Sequence, residues 1–99
     1  MRVRLTNDAA DDLRDIKSRI MRDDIAAAAR VMRQISSILR ILGEYPYFGH
    51  RGIKDGTYEK AVPRTRYVVV YHISSQSPEE LVVLRVLRGS QDRTKYRYN

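Results

Sequence analysis

The sequence predicts an α+β domain with the element order β-α-α-β-β-β, in which a helical hairpin packs on one face of an antiparallel sheet. Apolar residues in the first half recur at spacings of three and four, the signature of a helix with one buried face. The second half consists of short β-branched and aromatic runs, the composition of strands. The connections between those runs are short, which favours antiparallel pairing of consecutive strands. A chain of 99 residues has room for one such domain and one core.

Val3 and Leu5 alternate with Arg2, Arg4 and Thr6, as in a short edge strand. Thr6 or Asn7 then caps a helix, and Asp8, Asp11 and Asp12 place negative charge in its first turns, where the helix dipole favours it. Ala9, Leu13, Ile16 and Ile20 form its apolar stripe, and the helix is expected to end near Met21. Asp23 or Asp24 caps a second helix with a wider apolar set: Ile25, Ala28, Ala29, Met32, Ile35, Leu39 and Leu42, flanked by Val31 and Ile38. That width suits a helix packed on both its neighbour and a sheet, with the small residues Ala26 to Ala29 permitting close approach. Gly43 is placed to terminate it and Pro46 forbids its continuation.

Residues 45–56 read as a loop, with Pro46, Gly49, Gly52 and Gly56 supplying turns. Strands are expected at Thr57 to Val62, Tyr67 to Ile73 and Leu81 to Leu87. Arg85 interrupts the last of these and needs a carboxylate such as Glu59, or a partner. Tyr67 and Tyr71 lie on one strand face and read as packing residues. After residue 88 the apolar pattern stops. Residues 1–88 are therefore assigned to the folded domain and 89–99 to a basic C-terminal tail, whose removal is expected to abolish function and leave the domain folded.

Composition narrows the function. There is no cysteine, hence neither a disulfide framework nor a thiolate metal site. The N-terminus turns polar too early for a signal peptide, and no apolar run approaches the roughly 20 residues of a membrane span. A soluble, cytoplasmic protein with no membrane partner is expected. The net charge is +7 and uneven: residues 1–44 carry 9 Lys/Arg against 7 Asp/Glu, residues 45–99 carry 10 against 5. Near the end Arg85, Arg88, Arg93, Lys95 and Arg97 face only Asp92. Such a basic end attracts polyanions or acidic proteins.

His50 and His72 lie on different elements with no paired carboxylates beside them, so no metal site or cofactor is expected. His72 reads as a half-buried strand residue and His50 as a surface loop residue. No Gly-rich loop precedes a helix, and no Ser/His/Asp-type arrangement is recognisable. What remains is chemistry on RNA, which needs an acid, a base and cations around a phosphate, or binding without chemistry.

The run from Gly56 to Tyr71, Gly-Thr-Tyr-Glu-Lys-Ala-Val-Pro-Arg-Thr-Arg-Tyr-Val-Val-Val-Tyr, resembles the central strands of RelE/ParE superfamily toxins. Leu84 to Asp92 is similar to that family's last strand and exit. Ala9-x-x-Asp12-Leu13-x-x-Ile16, the Ala-rich second helix and Leu42-x-x-Tyr45-Pro46-x-x-Gly49 fit the same template in order. The resemblance implies the toxin of a type II toxin–antitoxin module, held in a hetero-oligomer by an acidic, partly disordered antitoxin. It implies two activities on one fold. RelE-like members cut mRNA on the ribosome with Arg and Lys around the scissile phosphate and often a terminal Tyr. ParE-like members poison DNA gyrase by binding.

Under the ribonuclease alternative the candidates are Tyr96, Arg93, Arg88 and Arg64. Against it, Val68 and Ser90 stand where RelE-like enzymes carry phosphate-binding arginines, and Arg88 stands where many relatives carry histidine. A guanidinium keeps its charge and cannot serve as a base at neutral pH. The ParE-like reading is therefore preferred. Arg64, Arg66, Arg85, Arg88, Arg93, Lys95, Tyr96 and Arg97 are its candidate target- or antitoxin-binding residues. A non-toxic nucleic-acid-binding domain is the remaining alternative.

Overall fold

In the computed structural model β1 (Arg2–Leu5) leads directly into α1 (Asn7–Met21), because the Thr6 hydroxyl accepts the Ala9 amide at 3.0 Å and caps the helix. Residues 1–76 and 78–98 are described; Ser77, between the last two strands, and Asn99, at the end of the tail, lie outside the described residues. Asp24 caps α2 (Ile25–Glu44) in the same way, its carboxylate accepting the Ala27 amide at 3.0 Å. The chain continues through β2 (His50–Arg51), β3 (Tyr58–Ala61), β4 (Tyr67–Ser74) and β5 (Glu80–Arg88), then a single 3₁₀ turn at Arg93–Lys95. No helix among the described residues is long and apolar enough to cross a membrane.

The helical hairpin and the meander of β3, β4 and β5 stand as the sequence predicts, but the sheet is mixed. Its order is β1-β5-β4-β3-β2, and β1 runs parallel to β5 while the other pairs are antiparallel. Strand β1 reaches β5 only after the helices and three strands intervene, so no hairpin dictates its direction. The two-residue β2 arises inside the segment expected to be loop. Gly49 lets it lie against the sheet: a Cβ there would come within 2.6 Å of the Glu59 carbonyl oxygen and 2.7 Å of the Tyr71 hydroxyl.

Gly43 does not terminate α2. It lies within the helix, where its carbonyl accepts the N-terminal ammonium at 2.8 Å and a Cβ would press on Met1 O and Val3 Cγ2, both at 3.2 Å. The helix ends at Glu44 instead, since Tyr45, the residue before Pro46, is driven out of the helical region and sits at φ −129°. The apolar stripe is also narrower than expected at its start. Ile25 and Ala29 are exposed, whereas Ala28, Ile35, Ile38 and Leu42 are buried.

The helices cover one sheet face, where Ala9, Ile16, Ile35, Ile38 and Leu42 meet Val69, Tyr71, Leu81, Val83 and Val86. Burying a side chain the size of Ile35 or Leu42 is worth about 1.5–3 kcal/mol. A second cluster, Val70, Val82, Leu84 and Leu87, forms on the opposite face beneath Tyr96 and Tyr98 of the tail. A β-bulge separates the two ends of β5: Val70 pairs with Arg85, but Tyr71 pairs with Val83. The extra residue, Leu84, shifts the alternation so that Val86 rather than Arg85 enters the helix-side core.

Candidate functional site

The eight candidate residues separate into three environments. Arg64, Arg66 and Arg88 gather at one end of the sheet. The turn from Val62 to Thr65, closed by the Thr65 amide on the Val62 carbonyl at 3.3 Å, places Pro63 and Arg64 at its corner. Arg64 takes φ +61° there, the left-handed conformation that glycine adopts without cost. Arg66 and Arg88 are brought side by side by the pairing of Tyr67 with Arg88 and by the Gly89 amide donating to the Arg66 carbonyl at 2.8 Å. Arg19, in the last turn of α1, faces them across a groove of about 770 Å³ whose other wall carries Asp23, Asp24 and Val31.

No carboxylate among the described residues lies within 4 Å of the guanidinium of Arg19, Arg64, Arg66 or Arg88. With its oxygen turned toward Arg64, the Gln34 amide accepts from Nε at 3.0 Å and Nη2 at 3.2 Å. That contact orients the guanidinium and leaves its charge unneutralised. Arg30 and Arg33 of α2 extend the positive surface on the other side of Arg64.

Arg85 and Arg93, in contrast, are consumed internally. Arg85 pairs with Asp12 rather than Glu59: Nε donates to Oδ2 at 2.7 Å and Nη2 to Oδ1 at 2.8 Å. These bonds hold the Arg85 pKa above its ordinary value. Its guanidinium also lies 4.7 Å from the centre of the Tyr96 ring. Glu59 belongs to Arg93, whose Nη2 donates to Oε1 at 3.0 Å. Arg93 Nη1 donates to the carbonyls of Gly89 and Gln91, both at 2.7 Å, so one buried side chain fastens the tail to β3.

Tyr96 spans the gap between these environments. Its hydroxyl accepts from Gln91 Nε2 at 2.6 Å, and Gln91 Oε1 accepts the Arg88 amide at 2.8 Å. Tyr96 and Arg97 line a separate cleft with Lys54, His72 and Tyr98. Lys95 and Arg97 are exposed; His72 is half-buried. Asp92 caps the 3₁₀ turn through the Thr94 amide and hydroxyl, and those hydrogen bonds lower its pKa. Among the described residues no group of three or more His, Cys, Asp or Glu is placed to hold a metal ion.

Sequence reasoning passed over one surface. Tyr45, Tyr47 and Phe48 are largely exposed and, with Ile41 and Pro46, line an apolar recess beside the end of α2. Lys60 Nζ stands 4.0 Å over the Phe48 ring. The signal was present in Tyr45-Pro46-Tyr47-Phe48, aromatic residues in a turn-rich segment that cannot bury them all.

The profile of the ParE toxin of type II toxin–antitoxin systems, parDE, matches residues 3–93. The chain belongs to the ParE toxin family. Y4kP of Sinorhizobium fredii (strain NBRC 101917 / NGR234), provisionally named a toxin, is 33% identical over 90 residues, 91% of this chain and 90% of that protein. The solved chromosomal ParDE toxin–antitoxin system from P. aeruginosa aligns with a TM-score of 0.77 at 19% identity, over 89% of this chain and 95% of that one. A YoeB/ParE toxin from Agrobacterium tumefaciens aligns with a TM-score of 0.61 at 22% identity, over 89% and 98%. At those identities the solved structures show the fold: two helices on a mixed five-stranded sheet. In this ParE-family toxin Val68 is buried within the sheet, Ser90 is exposed and Arg88 lies in the basic groove.

Proposed function

We propose that this ParE-family toxin arrests growth in the cytoplasm by binding DNA gyrase, and that a cognate acidic antitoxin neutralises it. The observation that supports binding over cleavage is the dispersal of the ribonuclease candidates. Arg93 is locked onto Glu59, Tyr96 lies beside Arg85, and Arg64 and Arg88 sit in a groove lined by no histidine. A phosphate-cutting centre would need its acid, base and cations within reach of one another. An acidic antitoxin segment suits both remaining surfaces, with apolar side chains for the recess at Tyr45, Tyr47 and Phe48 and carboxylates for the free arginines.

Purified protein added to a gyrase supercoiling reaction, and separately to ribosomes translating a defined mRNA, tests this directly. Lost supercoiling with intact mRNA is the expected result. Codon-positioned mRNA cuts with unaffected gyrase would replace the proposal with the RelE-like alternative. If neither assay responds and expression leaves bacterial growth unchanged, a non-toxic nucleic-acid-binding domain takes its place.

A further inference from the structure

We infer that the groove between the Val62–Thr65 turn and the end of α1 binds the phosphodiester backbone of duplex DNA, with Arg64 as its central contact. Four arginines, Arg19, Arg64, Arg66 and Arg88, line one groove, and among the described residues no carboxylate lies within 4 Å of their guanidinium groups, whereas Arg85 and Arg93 are spent on internal ion pairs. Planar guanidinium groups match phosphate oxygens in a two-pronged geometry that a flexible ammonium cannot reproduce, and all four positions are arginine. Residues 30 and 33 add two more arginines along α2. The row therefore extends beyond the reach of a single phosphate.

The backbone of Arg64 is the second, independent observation. Position 64 has φ +61°, where glycine is at ease and any Cβ crowds the following carbonyl oxygen. The adjoining Pro63 sets up a turn whose next residue is ordinarily glycine or asparagine. Strain retained where a simpler residue would relieve it points to a use for the side chain. Here the side chain is a guanidinium held in place by the neutral Gln34 amide.

The groove's lining also selects among nucleic acids. Its single aromatic lining residue, Tyr67, is half-buried and packed against the helix-side core, so the groove has no series of rings on which successive unpaired bases could stack. Single-strand binding relies on such rings, whereas contact with a duplex backbone needs cations alone. Asp23 and Asp24 form the groove's acidic margin, and the carboxylate of Asp24 is already engaged by the Ala27 amide. This inference does not depend on the gyrase proposal, since it concerns DNA bound by the toxin alone.

The test is fluorescence anisotropy of the full chain with a labelled 20-base-pair duplex across a sodium chloride titration. Affinity is expected to fall with salt, the slope changing by about 0.9 for each phosphate neutralised. Arg64→Gly removes one phosphate contact and relieves the turn, so binding falls several-fold and the slope drops by about one, with Tm unchanged or raised. Arg40→Gln, which removes an equal charge from an exposed position of α2 outside the groove, is expected to leave the slope intact. Equal losses in the two variants would overturn the site, as would wild-type binding by Arg64→Gly. Tighter binding to oligo(dT) would overturn the preference for a duplex. Displacement by polyglutamate where excess unlabelled duplex fails to compete would reassign the groove to an acidic protein alone.

Discussion

Asp12 on α1 and Arg85 on β5 join the helical layer to the sheet at the edge that β1 leaves open. Strand β1 covers β5 only from Glu80 to Val83. Beyond it, the Thr6 hydroxyl donates to the Leu84 carbonyl at 2.8 Å, and Asp12 Oδ2 accepts the Val86 amide at 2.9 Å. The carboxylate therefore completes the ladder where the strand stops. The Arg85 guanidinium, turned out of the core by the bulge at Leu84, neutralises that carboxylate and extends beneath Tyr96.

Asp12→Ala is accordingly expected to cost more than Arg85→Gln, because it removes the partner of both the Arg85 side chain and the Val86 amide. For a pair whose side chains are 13% and 22% exposed, each change should cost about 1–3 kcal/mol, short of the penalty for a fully buried pair. The double variant should cost less than the sum of the singles, since the two share one interaction. Urea denaturation midpoints at constant m-value measure all three. A cost for Asp12→Ala within about 0.5 kcal/mol of zero, the range of an ordinary surface change, would refute its role at the edge.

The same pair marks the boundary of what the sequence discloses. Local signals narrowed each cap to two adjacent residues, of which the structure uses Thr6 and Asp24, and sufficed for both helices and for β3, β4 and β5, because each rests on residues within a few positions of one another. The partner of Arg85 was beyond them: Asp12 and Glu59 are equally eligible carboxylates by composition, and only the bulge decides which one Arg85 reaches. Likewise Gly43 looks like a helix terminator until β1, forty residues earlier, is seen to press against it. The candidate arginines were legible as a basic set. Which of them are free and which are spent internally is a tertiary fact, visible only once Glu59 meets Arg93.

Tyr71 supplies a stability test that leaves the basic groove untouched. Its fully buried hydroxyl donates to the Pro46 carbonyl at 2.8 Å and accepts the Gly49 amide at 3.1 Å, tying the loop before β2 to the centre of the sheet. Tyr71→Phe leaves those two backbone groups unpaired and should cost about 1–3 kcal/mol by chemical denaturation. The pH dependence has a definite sign. Burial raises the Tyr71 pKa above its ordinary value near 10. Its contribution is therefore fully present below that value and lost as pH climbs toward the folded-state pKa. The wild type should lose stability above pH 10 more steeply than Tyr71→Phe. Some dependence should remain in the variant, since burial also raises the Tyr98 pKa. Parallel alkaline profiles for the two proteins would show that Tyr71 does not titrate as its burial dictates.

The tail gives the largest expected effect. Arg93 and Glu59 are almost wholly buried, and Glu59 Oε2, Arg93 Nε and Tyr98 Oη have no hydrogen-bond partner among the described residues. Arg93→Met leaves the Glu59 carboxylate buried without its counter-ion, at a cost of about 3–5 kcal/mol. It also frees the Gly89 and Gln91 carbonyls that hold the start of the tail. Combining it with Glu59→Met removes the stranded charge and should recover much of the loss, a compensation that neither a charge effect at the surface nor a simple packing defect would produce. Deleting residues 89–99 should resemble Arg93→Met in the thermal melt, because it strands Glu59 and uncovers Val70, Val82, Leu84 and Leu87 together. A truncated chain as stable as the full one would mean that the tail rests on the sheet without holding it. Limited trypsin digestion provides the structural readout: cleavage after Lys95 and Arg97 should accelerate in Arg93→Met and return toward the wild-type rate if the Glu59→Met combination restores the tail's packing.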